Sequence, residues 1–371
     1  MGSLTRFTTS APGRRRRSLP ALLKQRPGLP IRPVFQPIVD LRNGCVSGFE
    51  ALARLMQNGA SAPHADFLAG LPRADRLWLF ETMLDQSLAA MKGFAGPEPG
   101  LSISVNVERF LFLEEAFLTS LTQILDAHAY QGSGLVLEFL EEGIIEDEAR
   151  MIEAIARVRR LGVRVALDDL GRAHSSLIDI KTLPVDILKL DQSFVRGLAK
   201  APHDLQFVLS LLSLARGLGK ALVIEGVETA EILDALMILG VEFAQGYGIA
   251  RPMPADQVRP WLDSYKVPVA TRSPRSLLGS FASHLMVVET CRILMHQPLP
   301  VARKEKSKNP DNCEIGRYFN RCGLHDTAFG AAHKQFHRVM TCYGSDYPSW
   351  KAGADGFADT LAAAIAQTPT A

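Results

Sequence analysis

From Val34 to about Tyr265 the sequence alternates short apolar runs with amphipathic stretches, a pattern that limits the chain to folds built from repeated strand and helix units. Strands are expected over residues 34–40, 45–55, 101–105, 135–140, 163–167, 187–190 and 221–224, with a short one at 242–244. Helices are expected between most of them, including 146–161, 203–218 and 230–239. About eight strands in roughly 230 residues is the size and order of an α/β protein of the TIM-like (β/α)8 barrel type. The first two strands join through the short turn Arg42, Asn43, Gly44, so the first should run antiparallel. A doubly wound open sheet is the competing arrangement.

Polar residues fall unevenly on these runs. Glu50, Asn106, Glu138, Asp168, Asp169, Lys189, Glu225 and Gln245 lie inside or at the C-terminal end of a strand. In a barrel those ends meet on one face, where an active site is built. The adjacent pair Asp168 and Asp169 would point to opposite sides if the strand continued through both. Several converging carboxylates repel one another by several kcal/mol unless cations sit among them. Oxygen-only ligands favour magnesium or manganese over zinc.

At 371 residues the chain exceeds a single core, so a second module is expected. Hydrophobic residues make up 47% and charged residues 22%, with a formal net charge of +2, which gives no global electrostatic partner and no general nucleic-acid binding. Residues 1–32, with arginines at 14–17 and several prolines, read as a disordered basic tail. No apolar signal core follows those arginines, and the longest apolar run, 207–227, is broken by Arg216, Lys220 and Glu225, so a cytoplasmic protein without a membrane span is expected. The five cysteines read as thiols or metal ligands rather than a disulfide framework.

The motifs also carry a family resemblance. FQPIVDL at 35–41, FEALARL at 49–55, SVN at 104–106, LEFLEE at 137–142, LDDLG at 167–171, DILKLD at 186–191, IEGVET at 224–229 and AQGYGIARPMP at 244–254 follow in the order of the EAL domain, which the region 33–265 resembles. The resemblance implies a phosphodiesterase that linearises cyclic di-GMP to pGpG with two magnesium or manganese ions. It implies Glu50, Asn106, Glu138 and Asp168 as ligands of one ion, with Asp168 bridging and Asp169 and Glu225 around the second. It implies Lys189 as the residue that orients and helps deprotonate the attacking water, and a lysine close to two cations should have a depressed pKa. Gln36, Arg54 and Gln245 would line or contact substrate, Glu141 would anchor the loop after the aspartate pair, and Glu228 would support the site. One departure is visible. Where the family has Phe-Gly, a small residue, Gly and an aromatic, this chain has Leu170, Gly171, Arg172, Ala173 and His174. Restricting the loop backbone at Ala173 leaves open a weak or inactive cyclic di-GMP effector.

Past a linker at 266–276 the pattern changes to helices without strands, as in a small all-α bundle over 277–371. Helices are expected over 277–295 and 329–343. His333 and His337, four apart, share a helical face, a spacing suited to zinc but not decisive by itself. With His284 and Cys313 they resemble the chemoreceptor zinc-binding (CZB) domain, whose site has three histidines and a cysteine. That resemblance implies one zinc per domain, a zinc- or redox-sensing role through the thiolate, and a homodimer, since both families usually pair.

Overall fold

The structure, a computed structural model, describes residues 31–57, 60–61, 71–94, 100–140, 147–171, 177–269, 273–293, 309–340 and 347–367. Its strands are β1 (Ile31–Asp40), β2 (Cys45–Gln57), β3 (Ala60–Ser61), β4 (Ser102–Asn106), β5 (Leu135–Leu140), β6 (Arg164–Leu170), β7 (Ile187–Leu190), β8 (Ala221–Ile224) and β9 (Phe243–Ala244). Hydrogen bonding runs β1-β9-β8-β7-β6-β5-β4-β2, and β1 pairs β2 as well, closing an eight-stranded barrel with β3 as a short flap on β2. β1 is antiparallel to β2 and β9, whereas the other barrel pairings are parallel. The closed barrel rules out the open sheet.

The first turn explains the antiparallel entry. The Asp40 carboxylate accepts the backbone N–H groups of Arg42 (2.9 Å) and Asn43 (3.0 Å), and Gly44 closes the turn at φ +66°. β1 starts at Ile31, three residues before the expected start, because buried Ile31 pairs with Leu55. Pro33 is accommodated there because it pairs with Ala53 of β2, while among the described residues the pairing on the other edge of β1 lies past it, at Phe35 with Met253.

Among the described residues seven helices accompany the strands: α1 (Arg73–Phe94), α2 (Glu115–His128), α3 (Glu148–Arg160), α4 (Leu177–Thr182), α5 (Leu205–Gly217), α6 (Ala230–Leu239) and α7 (Ala255–Ser264). α6 shows why these boundaries form. The Thr229 hydroxyl caps the N–H of Ile232 at 3.3 Å, and Gly240, at φ +78°, ends the helix in the left-handed region. The helical segment beyond the barrel comprises α8 (Leu277–Ile293), α9 (Glu314–Arg321), α10 (Ala328–Met340) and α11 (Tyr347–Gln367).

α8 packs along α6, so barrel and C-terminal helices share one apolar core. At the seam Asp234, buried among the apolar residues of α6, accepts the Arg275 N–H (2.9 Å) and the Ser276 hydroxyl (2.7 Å). A Cβ on Gly279 would overlap that carboxylate, so the close approach needs glycine.

Candidate active site

A small apolar layer plugs the barrel interior: Ile38, Val136, Ala166, Ile187 and Val223, with Phe243 packed against it. Side chains on one face of a strand recur every second residue. Two positions toward the mouth from these six residues stand Gln36, Glu138, Asp168, Lys189, Glu225 and Gln245. On β1 the step runs backward because that strand is antiparallel. The same alternation that fills the core thus sets a polar ring directly above it. Glu50 joins from β2, level with Gln36 across the antiparallel pair and with Ser104 on β4.

Lys189 occupies the centre, 1% exposed. Its Nζ lies 2.7 Å from Glu138 Oε2, 2.7 Å from Glu225 Oε1, 3.2 Å from Glu50 Oε2 and 3.3 Å from Asp168 Oδ1. Gln245 Nε2 donates to Glu50 (2.8 Å) and Gln36 (3.1 Å), and Asn106 Nδ2 donates to the other Glu50 oxygen at 2.9 Å. One ammonium thus faces four carboxylates.

The electrostatic consequences are large. Burial pushes Glu138 up to about 8, opposed by Lys189 and assisted by Glu50 and Asp168. Burial likewise takes Asp168 to about 6 and holds Glu225 well above the usual carboxylate range. Glu50 is buried too, yet Lys189 and the hydrogen bonds from Gln245, Asn106 and Lys189 keep it low. Burial lowers Lys189, but its four acidic neighbours outweigh that and raise it well above the ordinary lysine value. The lowered lysine pKa expected from sequence belongs to a ring that holds two cations, whereas the four carboxylates by themselves act in the opposite direction.

The aspartate pair resolves differently from simple strand alternation. The β6–β7 register slips between Leu167 and Leu170, and Asp169 adopts φ +55°. This left-handed residue, uncommon outside glycine and asparagine, turns the second carboxylate toward the first. Ligand atoms of Asp168, Asp169 and Glu225 come within 4.8 Å of one another, and so do those of Glu50, Glu138 and Asp168. Asp168 belongs to both groups. Its Oδ1 is buried and accepts no hydrogen bond, although Lys189 lies 3.3 Å away. An all-oxygen donor set with an unsatisfied shared carboxylate fits hard divalent cations.

The remaining expected residues fall around this ring. A cleft of about 780 Å³ above it is lined by Gln36, Glu50, Asn106, Asp168, Asp169, Glu225, Glu228 and Gln245, among others. Glu228 pairs with Arg196 Nε at 2.7 Å. Arg54 is half-buried, within electrostatic reach of Tyr247 and Glu50, and donates to its neighbour's carbonyl on Ala53. Glu141, Arg172, Ala173 and His174 lie outside the described residues. Sequence reading missed the cleft residues Arg76, Arg109, Arg196 and Tyr247. The arginines carry no periodic signal, whereas Tyr247 sits inside a motif already noted.

In the C-terminal helices, Cys313, His333 and His337 form a third group within 4.8 Å. His333 Nε2 is 3.1 Å from Cys313 Sγ and 3.1 Å from His337 Nε2. Both histidines are buried, which excludes a solvent-facing pair. Burial, then His337, His284 and His325, push His333 down to about 3, so its imidazole is neutral. Cys313 also caps α9, accepting the Gly316 N–H at 3.2 Å. The structure does not bring His284 into this group. Its Nε2 is bonded to the Ala354 carbonyl at 2.9 Å, and its Nδ1 is buried without a hydrogen bond.

Comparison with known proteins agrees with the barrel. The family model described as "EAL domain" matches residues 20–252. The chain is 32% identical over 235 residues to "Cyclic di-GMP phosphodiesterase PA2567" of Pseudomonas aeruginosa, covering 62% of this chain and 39% of that protein. It is 32% identical over 230 residues to "Cyclic di-GMP phosphodiesterase RocR" of the same species, covering 59% of this chain and 57% of that one. The solved PaMucR phosphodiesterase in complex with c-di-GMP superposes with a TM-score of 0.57 at 30% identity, covering 65% of this chain and 98% of that structure. The chain thus spans less than two thirds of the length of both curated relatives.

Proposed function

The chain belongs to the EAL domain family, and from that premise we propose that it hydrolyses cyclic di-GMP to linear pGpG in a metal-dependent reaction. The observation that supports this most is the sharing of Asp168 between two carboxylate groups at the barrel mouth. In this reading Glu50, Asn106, Glu138 and Asp168 hold one magnesium or manganese ion, and Asp168, Asp169 and Glu225 hold a second. Such cations supply charge neutralisation for a phosphodiester and acidify the attacking water.

The chain's own residues do the rest. Gln245 and Asn106 fix both oxygens of Glu50. Lys189 would orient the attacking water and, with cations beside it lowering its pKa, help to deprotonate it. Gln36 and Gln245 line the cleft that would take the nucleotide, Arg54 would reach it from beside Glu50, and Glu228 holds Arg196 at the cleft wall.

The reading divides the chain into the barrel, 33–265, a linker, 266–276, and a zinc-binding module of the CZB type, 277–371, that regulates it. Cys313, His333 and His337 would hold one zinc ion with His284 as fourth ligand. His284 already has one ring nitrogen on a carbonyl, the arrangement that orients a metal-binding imidazole. We place the protein in the cytoplasm as a homodimer, to which the exposed apolar side chains Ile178, Phe207 and Leu214 on α4 and α5 lend themselves. Among the described residues no helix is long and apolar enough to cross a membrane.

The test is direct. Purified protein with magnesium or manganese should convert cyclic di-GMP to the linear dinucleotide, and Glu50→Ala should lower turnover at least about a hundredfold without lowering helix content. Binding without turnover in the wild type would instead favour the effector reading. Metal analysis should find one zinc per chain, lost in His333→Ala and Cys313→Ala; zinc retained in both variants refutes the ligand set.

A further inference from the structure

We propose that Tyr247 is a stacking platform for one nucleobase of the bound dinucleotide, so that the cleft holds its substrate by a base face as well as by its phosphates. The proposal rests on reading the cleft as a cyclic dinucleotide site. Tyr247 lines that cleft and is 46% exposed. Large aromatic rings are ordinarily hidden, and a wet one beside a charged pocket calls for an occupant.

The ring is held in place. The segment Gln245–Gly248 presses against the backbone of Val227 and Glu228: the Val227 N–H donates to the Gln245 carbonyl (3.1 Å), and the Gly248 N–H donates to the Val227 carbonyl (2.8 Å). A Cβ on Gly246 or Gly248 would collide with that backbone, so both flanking positions require glycine. Two residues earlier in the chain, Gln245 is tied to Glu50 and Gln36, which fixes the ring relative to the carboxylate centre.

One face of the ring is already taken. The Arg251 guanidinium carbon lies 4.4 Å from the ring centroid. Arg251 does not line the cleft whereas Tyr247 does, so the opposite face is the one presented to it. Arg54 is within electrostatic reach of both Tyr247 and Glu50. A planar base on Tyr247 would put its sugar and phosphate toward Arg54 and the ring of carboxylates. A preset aromatic stacks a base at low entropic cost, and such contacts contribute enough to shift affinity about ten- to hundredfold.

The experiment uses the full chain with manganese and cyclic di-GMP, reading Kd by calorimetry and, where the wild type turns over, KM and kcat separately. Tyr247→Ala should raise Kd and KM about ten- to hundredfold with a far smaller change in kcat, and Tyr247→Phe should restore both. An unchanged Kd and KM in Tyr247→Ala, or a Tyr247→Phe variant as weak as the alanine, overturns the stacking role while leaving the hydrolase reading intact. A kcat loss with unchanged KM also overturns it. Failure of the wild type both to bind and to hydrolyse overturns the cyclic dinucleotide reading, and the stacking role with it.

Discussion

At the scale of single residues the site is a problem of too much negative charge. Glu50, Glu138, Asp168 and Glu225 crowd one buried ammonium, and burial first, with the neighbouring carboxylates adding to it, raises Glu138 to about 8 and Asp168 to about 6, so that without further cations the relief is protonation. A carboxyl raised on folding favours the fold below its unfolded value near 4.5 and loses that advantage as pH climbs through about 8. Magnesium competes with those protons. The melting temperature gained on adding magnesium should therefore be larger near pH 8 than near pH 5.5. Scanning fluorimetry with and without magnesium at both values checks this, and a gain independent of pH would show that these carboxylates do not bind the ion.

At the scale of elements, most of the barrel was legible because strand and helix periods were strong and uninterrupted. α6 fell on the expected residues, and the carboxylates at strand ends, Glu50 to Glu225, came together as anticipated. What could not be read was local. The slip after Leu167 and the positive φ of Asp169 reverse the alternation that a regular strand dictates, and neither has a sequence signature, since aspartate is only tolerated there. Nor did spacing reveal that His284, the proposed fourth ligand, lies outside the tight group of Cys313, His333 and His337 with one ring nitrogen on the Ala354 carbonyl, because helix packing rather than sequence distance sets that separation. Asp234 was likewise silent in the sequence: a buried acid on the apolar side of α6, whose reason is the linker it grips. Asp234→Ala should lower stability by about 2 to 4 kcal/mol, since two hydrogen bonds to a buried carboxylate are lost. Urea unfolding measures this, and an unchanged midpoint would mean that α8 docks on α6 through apolar contacts alone.

At the scale of the whole molecule, the barrel and the C-terminal helices are joined by one continuous core. The seam runs along α6, whose N-cap, Thr229, comes directly after Glu228 and four residues after Glu225 at the barrel mouth. The linker is gripped from both sides: Asp234 holds Ser276, while Glu314, next to Cys313, accepts a hydrogen bond from Ser273. A regulated hydrolase would use this connection. Its premise is nonetheless the pair of carboxylate groups sharing Asp168, and that premise is open to direct inspection. Crystals soaked in manganese should give two anomalous difference peaks, one among Glu50, Asn106, Glu138 and Asp168 and one among Asp168, Asp169 and Glu225. A map with Lys189 still filling the ring and no peak beside Asp168 would contradict the account.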